Sequence, residues 1–237
     1  IMSGISLLNS NKKITDDTIN DAISGNLCRC TGYSPIIKAI KSVANYRIPK
    51  KNNQIINKNK KIKIGNVTYF KPSNLKELKN YLYDVKDFQF IAGGTDLNLY
   101  RPIINQKEEK IICLDSIKEL SHIKHHKEKI ELGGAVTIEN FLHAIKSKMP
   151  QLIEILQRFG SPQIRNQGTI GGNLCTSSPI GDIAPILLIL NSDLKVFGRN
   201  GFKKINIKNF FKGYRKNILK KDEIISSLEL PIANKKN

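Results

Sequence analysis

Strand patterns alternate with helical patterns from Val67 to the end of the chain, and this alternation limits the fold more than any other feature. Gln89–Ala92 and Leu194–Phe197 are short apolar runs typical of buried strands, whereas Thr137–Lys146 has the spacing of an amphipathic helix. Such alternation is typical of a mixed α/β domain. The chain has 237 residues, of which 40% are hydrophobic, so it can bury a sizeable core.

The N-terminal segment, residues 1–47, has a different pattern that indicates short helices. Asp16 and Asp17 stand where a helix N-terminus favours acidic side chains. Ser34-Pro35 predicts the start of a further helix, with serine as its N-cap. Residues 48–64 are polar, rich in Lys and Asn and without clear periodicity. They predict a linker between the helical segment and a domain over residues 65–237.

The net charge of the chain does not by itself exclude any class of function. The formal net charge is +19, and it comes from 32 lysines against 7 arginines. Proteins that read phosphates favour the arginine fork, and nucleic-acid binders cluster their basic residues. Here the lysines are mostly scattered, which favours a compositional drift toward Lys, Asn and Ile. A basic surface that docks an acidic partner subunit stays open as an alternative.

Composition also bears on the compartment. No run of 18 or more apolar residues predicts a transmembrane helix. The four cysteines in a chain of this length indicate a reducing compartment, for which the cytoplasm is the default expectation.

A first glycine loop, Ile91–Leu97, follows a predicted buried strand and has the sequence IAGGTDL. Adjacent glycines remove the β-carbons, so that backbone N–H groups can converge on an anion such as a pyrophosphate. Thr95 adds a hydroxyl that can reach a phosphate oxygen. A Gly-Gly pair after a strand is also an ordinary tight turn, so both interpretations stay open.

A second glycine loop, Gln163–Asp182, is long for a compact domain, and such loops are usually functional. Its glycines permit a close approach of the backbone, and its polar side chains suit phosphate, ribityl and sugar oxygens. The candidate binding residues are Thr169, Gly171, Gly172, Asn173, Thr176 and Asp182. Neither loop contains G-x-G-x-x-G, so a dinucleotide would be held by a scaffold other than the Rossmann fold.

Cys28-Arg29-Cys30 is the one candidate metal site. Two thiolates at this spacing can occupy two corners of an iron–sulfur cluster, which generally needs four ligands, and a purely structural role is the alternative. Cys113 falls in an apolar strand and Cys175 in the second glycine loop. The histidines show no zinc pattern, and no Ser-His-Asp or Cys-His set predicts a catalytic side chain.

Taken in order, these segments resemble the molybdenum hydroxylase family, most closely its xanthine dehydrogenase branch. Gly25–Tyr33, with the sequence GNLCRCTGY, resembles the end of the family's helical [2Fe–2S] domain. The two glycine loops resemble its two FAD-binding signatures. The resemblance implies an α+β chain: an all-helical [2Fe–2S]-domain segment, a linker, and a two-subdomain α/β FAD-binding domain of the vanillyl-alcohol-oxidase or PCMH type.

The resemblance also implies roles for individual residues. The backbone of Ile91–Leu97, with Thr95, would hold the FAD pyrophosphate, and Cys28 and Cys30 would be two of the four [2Fe–2S] ligands. Thr169, Gly171, Gly172, Asn173 and Thr176 would bind phosphate and ribityl groups, Asp182 a polar edge of the nucleotide, Phe159 the isoalloxazine ring and Ile225 an apolar part of FAD.

The function that the resemblance implies is electron transfer in an oxidoreductase. Electrons from a purine, oxidised on a molybdenum-cofactor-binding large subunit, would pass through [2Fe–2S] to FAD and on to NAD+. The expected assembly is a hetero-oligomer that binds neither nucleic acid nor membrane. The family pattern places two more cluster cysteines before Ile1 and a lid subdomain after Asn237, so we expect a fragment of a longer subunit.

Three alternatives remain at this point. The chain can serve an aldehyde oxidase or another molybdenum hydroxylase. It can be a basic nucleic-acid-binding module, or a cysteine-based zinc scaffold.

Overall fold

The computed structural model describes residues 1–46, 60–100 and 107–232. The chain divides into two compact units. The helical unit consists of the residues up to 46 together with Gly160–Arg165, and the α/β unit of the other described residues from 60 onward. Most of the predicted linker, residues 48–59, lies outside the described residues.

The helical unit contains the helices that the sequence predicts: α1 (Met2–Leu8), α2 (Asp16–Ile23) and α3 (Ser34–Ser42). Thr15 caps α2, since its side chain accepts the backbone N–H of Thr18. Leu7, Ile19 and Ile23 form its small core. The predicted cap of α3 was wrong by one residue, because Tyr33 occupies the N-cap and Ser34 is already helical.

Gly160–Arg165 is far from α2 in sequence but packs on it within the helical unit. The Arg165 guanidinium is 4% exposed and lies 3.1 Å from the Asp21 carboxylate. A β-carbon on Gly25 would lie 2.4 Å from the side-chain oxygen of Gln163, so the absence of a side chain at Gly25 admits this segment. The ion pair and the close approach fix the segment to the helices.

The α/β unit has a first lobe built on a mixed four-stranded sheet. The strands follow the order β1-β2-β4-β3; β1 is antiparallel to β2, and the other pairs are parallel. Their bounds are β1 (Lys61–Ile64), β2 (Val67–Phe70), β3 (Phe88–Ile91) and β4 (Glu109–Cys113), with the helices α4 (Leu75–Asp84) and α5 (Leu97–Tyr100). Since β1 belongs to this sheet, the predicted linker was wrong at its C-terminal end, and the domain begins before residue 65.

The second lobe is an antiparallel five-stranded sheet in the order β5-β6-β11-β7-β8. The bounds are β5 (Ile123–His125), β6 (Lys129–Gly133), β7 (Asp193–Gly198), β8 (Gly201–Asn206) and β11 (Ile224–Pro231), with a separate ribbon of β9 (Phe211–Gly213) and β10 (Lys216–Asn217). Leu132 of β6 faces Leu228 of β11, and both are fully buried. Burying each such side chain contributes about 1.5–3 kcal/mol.

Four helices accompany this sheet along the chain: α6 (Ile138–Ile145), α7 (Ile153–Gln157), α9 (Ile170–Thr176) and α10 (Ile183–Ile189). The helix α8 (Pro162–Gln167) lies between α7 and α9 in the sequence, and its residues up to Arg165 belong to the helical unit. The second lobe has its own core, centred on Phe141 and Phe210, whereas the first lobe packs around Leu78 and Leu82. The two cores confirm the predicted two-subdomain α/β architecture. Within the described ranges no helix has the length and apolar character that crossing a membrane needs.

Candidate functional site

The first glycine loop connects β3 to α5 and leaves its backbone donors open. Gly94 has φ +70°, a conformation that glycine adopts without strain. Asn98 and Leu99 donate their N–H groups to the carbonyls of Gly94 and Asp96. In the described part of the chain, the N–H groups of residues 93–96 find no acceptor. Successive N–H groups that have no acceptor among the described residues can bind an anion where they point the same way.

The second glycine loop differs from the prediction, because α8 and α9 fill most of it. Thr169 is the N-cap of α9, and its side-chain oxygen accepts the N–H of Gly172. The N–H groups of Ile170 and Gly171 donate to carbonyls of neighbouring chain segments, and that of Asn173 to the Thr169 carbonyl. The amides at this helix start are therefore already paired. What faces outward here is the exposed Gly172 and the polar side chains that follow it.

The two glycine loops lie directly against each other. A β-carbon on Gly93 would lie 1.7 Å from the carbonyl oxygen of Gln167 and 3.0 Å from the amide nitrogen of Gly168. No side chain fits at Gly93 without displacing that backbone. Loops that are 70 residues apart in the sequence thus form one surface, on which open amides from the first loop border the polar residues of the second.

A third glycine pair, Gly133-Gly134 at the end of β6, packs against the second glycine loop. Gly171 donates its N–H to the Gly134 carbonyl at 2.9 Å, and Gly134 donates to the Ser226 carbonyl. A β-carbon on Gly134 would lie 2.0 Å from the carbonyl oxygen of Ile225. Sequence reasoning missed this role, since a Gly-Gly pair at a strand end is an ordinary turn signal. Gly171, predicted as a ligand residue, is buried and used for packing.

The β9–β10 ribbon touches both loops through two residues that the sequence reasoning did not single out. Arg215 lies 4.0 Å from the carboxylate of Asp96 in the first loop. Asn217 donates its side-chain N–H to the Cys175 carbonyl at 2.9 Å and to the Ser177 hydroxyl at 3.3 Å. The carboxylate of Asp96 would repel a phosphate that binds beside it. The positive charge of Arg215 offsets this negative charge and reduces the repulsion.

Two family models match the chain. The model of the FAD-binding domain in molybdopterin dehydrogenase matches residues 61–233, and that of a [2Fe–2S]-binding domain matches residues 1–41. The chain belongs to the molybdopterin dehydrogenase FAD-binding family. The predicted resemblance to molybdenum hydroxylases is thereby confirmed, and the chain carries an FAD-binding domain preceded by a [2Fe–2S]-domain segment.

Two relatives of this chain are oxidoreductases. The FAD subunit of nicotinate dehydrogenase from Eubacterium barkeri is 37% identical over 171 residues, which are 68% of this chain and 56% of the relative. Xanthine dehydrogenase/oxidase from Rattus norvegicus is 25% identical over 290 residues, or 98% of this chain and 22% of the relative. The chain thus spans less than a quarter of the length of the xanthine dehydrogenases that it matches.

Solved structures confirm the predicted fold. Carbon monoxide dehydrogenase from Hydrogenophaga pseudoflava aligns with a TM-score of 0.65 at 23% identity, over 70% of this chain and 59% of the other. Quinoline 2-oxidoreductase from Pseudomonas putida 86 aligns with a TM-score of 0.63 at 24% identity and the same coverage.

The two glycine loops have groups that suit FAD, the cofactor after which the family is named. A diphosphate needs several N–H donors, and residues 93–96 offer N–H groups that have no acceptor within the described residues. The side-chain amide of Asn173 makes no hydrogen bond within the described chain and is partly exposed, so it can serve a ligand. Thr176 is less available as a donor, because its hydroxyl donates to the Gly172 carbonyl at 3.0 Å.

The structure places the remaining predicted FAD residues in three different settings. Asp182 is exposed and stands at the N-cap of α10, but its side chain makes no capping hydrogen bond. Phe159 is half-buried against the core of the second lobe. Ile225 is only 4% exposed, and its side chain belongs to that core. The first two thus keep surface that a ligand can reach, whereas Ile225 offers little.

The two candidate cluster cysteines lie in the helical unit, in the loop between α2 and α3. Cys30 is exposed, and Cys28 is partly exposed. Hydrogen bonds from the Thr31 side chain and from the backbone of Thr31, Cys30 and Gly32 hold the pKa of the Cys28 thiol below its usual value. A thiol stabilised as thiolate suits an iron ligand, so the pair fits two corners of a [2Fe–2S] cluster.

The other two cysteines are poor ligands where they stand. Burial raises the pKa of Cys175 to about 12 and that of Cys113 to about 11, so both remain protonated thiols near neutral pH. In residues 1–46, 60–100 and 107–232, no three His, Cys, Asp or Glu side chains form a group that could hold a metal ion. His122 and His126 instead face one carboxylate, that of Glu131, at 2.9 and 3.7 Å.

Proposed function

We propose that this chain is the iron–sulfur and flavin part of a xanthine-dehydrogenase-like molybdenum hydroxylase. It would pass electrons from a molybdenum site on a large partner subunit through [2Fe–2S] to FAD, and on to NAD+. The observation that carries the proposal is the contact of Gly93 with Gln167, which joins four open amides of the first loop to the exposed part of the second. The two matched family models support its FAD-binding and [2Fe–2S]-binding parts.

In this proposal the protein positions the cofactors, and no side chain makes or breaks a bond. FAD, when bound, supplies hydride chemistry, which no side chain can perform. The amides of residues 93–96 would bind its diphosphate, and Asn173 would donate to a neighbouring polar group. Arg215 would keep the negative charge of Asp96 from weakening that contact. Cys28 and Cys30 would hold one side of the cluster, and Phe159 would stack on the flavin ring.

The substrate is a purine in this proposal and would be selected by the partner subunit. The 37% identity to the nicotinate dehydrogenase FAD subunit favours a second candidate, in which the same electron-transfer role serves another hydroxylase. Assays of the assembled enzyme with xanthine, nicotinate and an aldehyde, each with NAD+ as acceptor, distinguish the candidates. The assembly would be a cytoplasmic hetero-oligomer.

Titration with FAD, followed by flavin fluorescence and absorbance, tests the binding site. The wild-type chain should bind one FAD per molecule. Asn173→Ala should weaken binding by about two- to thirteenfold, because one hydrogen bond is worth about 0.5–1.5 kcal/mol. Asn140→Ala is the matched control, since Asn140 is an exposed asparagine on α6. A wild-type chain that ignores FAD would refute the proposal.

The same preparation tests the rival interpretation of the lysines. A nucleic-acid-binding module should bind a duplex with an affinity that falls steeply as the salt concentration rises. We expect no such binding at physiological salt. Stoichiometric zinc in the purified chain would instead support the zinc scaffold.

A further inference from the structure

The loop that carries the two cysteines is closed by an unusual turn. Gly32 and Tyr33 both have φ +67°, and the N–H of Ser34 donates to the Gly32 carbonyl at 2.8 Å. With ψ −38°, Tyr33 is the central residue of a three-residue turn, which is strained for a non-glycine residue. The Tyr33 hydroxyl accepts the N–H of Cys28 at 2.9 Å, and its ring packs against the helical core. These contacts fix the turn.

The turn gives the two sulfur atoms different surroundings. The hydroxyl oxygen of Thr31 lies 3.4 Å from the sulfur of Cys28. Cys30 is exposed, and over the described ranges no hydrogen bond reaches its sulfur. The Thr31 hydroxyl has no other partner in those ranges. It therefore serves the sulfur of Cys28 rather than the turn itself.

We propose that Thr31 sets the reduction potential of the iron–sulfur cluster by donating its hydroxyl to the sulfur of Cys28. This inference rests on the proposed function, because it needs a cluster on Cys28 and Cys30. One-electron reduction makes the cluster more negative, and the added charge is shared with the sulfur ligands. A donor to such a sulfur stabilises the reduced form more than the oxidised form and raises the potential. Thr31 is thus a positioning residue that acts through Cys28.

Three substitutions separate the hydroxyl from the rest of the side chain. Thr31→Val keeps the shape and loses the donor, Thr31→Ala loses both, and Thr31→Ser keeps the donor. Each variant is produced in the full-length protein and purified with its cluster. Dithionite supplies the electron, and the EPR signal of the reduced cluster is followed against the applied potential. Iron content confirms that the cluster is present in each variant.

The expected result is a more negative midpoint potential in the valine and alanine variants, with serine equal to wild type. After exchange into deuterium oxide, the EPR signal of the reduced cluster should show a hyperfine coupling to deuterium. This coupling should be weaker in the valine variant, which lacks the hydroxyl. An unchanged midpoint in both variants would overturn the inference. Loss of the cluster from both would do the same, because it would show a role in holding the loop. A wild-type protein without a [2Fe–2S] signal would instead refute the proposed function.

Discussion

Gly93 and Gln167 are so close that a single β-carbon on the glycine would lie 1.7 Å from the carbonyl oxygen of the glutamine. Only backbone atoms make this contact. The two loops therefore cannot come closer together, and no side chain fits at Gly93. It places the open amides of one loop beside the exposed polar side chains of the other. The geometry of the proposed FAD site depends on it.

Gly93→Ala should therefore destabilise the α/β unit and weaken FAD binding. Overpacking against backbone costs about 1–3 kcal/mol, because the neighbouring loop must shift. Thermal unfolding and FAD titration measure the two effects. Gly4→Ala is the control: its new β-carbon lies on α1 and would meet only Ile40, at ordinary contact distances of 3.4 and 3.5 Å. Equal melting temperatures for both variants would contradict the structure.

Asn217→Ala should destabilise the second glycine loop at the C-terminal end of α9. The substitution removes the donor to the Cys175 carbonyl and leaves this partly buried acceptor unsatisfied, which costs about 1–3 kcal/mol. The free energy of unfolding from urea titration checks the prediction. Asn140→Ala, on the exposed face of α6, should change that energy little. Amide exchange near Ser177 should accelerate only in the Asn217 variant.

Cys28 should react faster than Cys113 and Cys175 in the protein without bound iron. The thiolate is the reactive form, so a lowered pKa favours alkylation of Cys28, and the raised values of about 11 for Cys113 and about 12 for Cys175 oppose it. Iodoacetamide at pH 8 should label Cys28 before Cys113 and Cys175, and peptide mass spectrometry measures the order. Labelling of Cys113 should increase as the pH approaches 11. Rapid labelling of Cys175 in the folded protein would be inconsistent with its burial.

Glu229 should make stability depend on pH. Lys129 and Lys204, at 2.6 and 3.1 Å, hold the pKa of its carboxyl below the usual value. A depressed pKa stabilises the fold above the ordinary glutamate value of about 4.3 and ceases to do so as the pH falls through the folded-state pKa. Because the group is partly exposed, Glu229→Gln should cost about 1 kcal/mol or less at pH 7.

The difference between Glu229→Gln and wild type should vanish at low pH, where both side chains are neutral. Denaturant titrations at pH 7 and at pH 3 measure this change. Glu154→Gln is the matched control, since the Glu154–Arg158 pair is about 80% exposed on both sides and should contribute almost nothing. A constant difference across the pH range would exclude the ion pairs as its cause.

Much of the fold could be predicted because local patterns agree with it. The helices of residues 1–46, the strand β7 and the helix α6 all follow hydrophobic periodicity, which tertiary contacts reinforce. The prediction failed where local composition and packing disagree. Residues 162–176 look like a loop because glycine is a poor helix former, yet α8 and α9 form there, with Thr169 as the cap of α9. Lys61–Ile64 looks like linker and becomes a strand through its pairing with β2.

The sequence by itself determined the family, the alternation of strands and helices, and the two short segments rich in glycine or cysteine, because these properties depend on residue type and spacing along the chain. Only the tertiary structure decided which glycines face a ligand and which admit another backbone. Gly94 adopts a positive φ in the first glycine loop. Gly93 and Gly134 instead allow close contact with backbone atoms about 75 to 90 positions away. Glycine lacks a side chain at every position, so the sequence does not distinguish these two roles. Long-range packing decides what occupies the space next to each glycine.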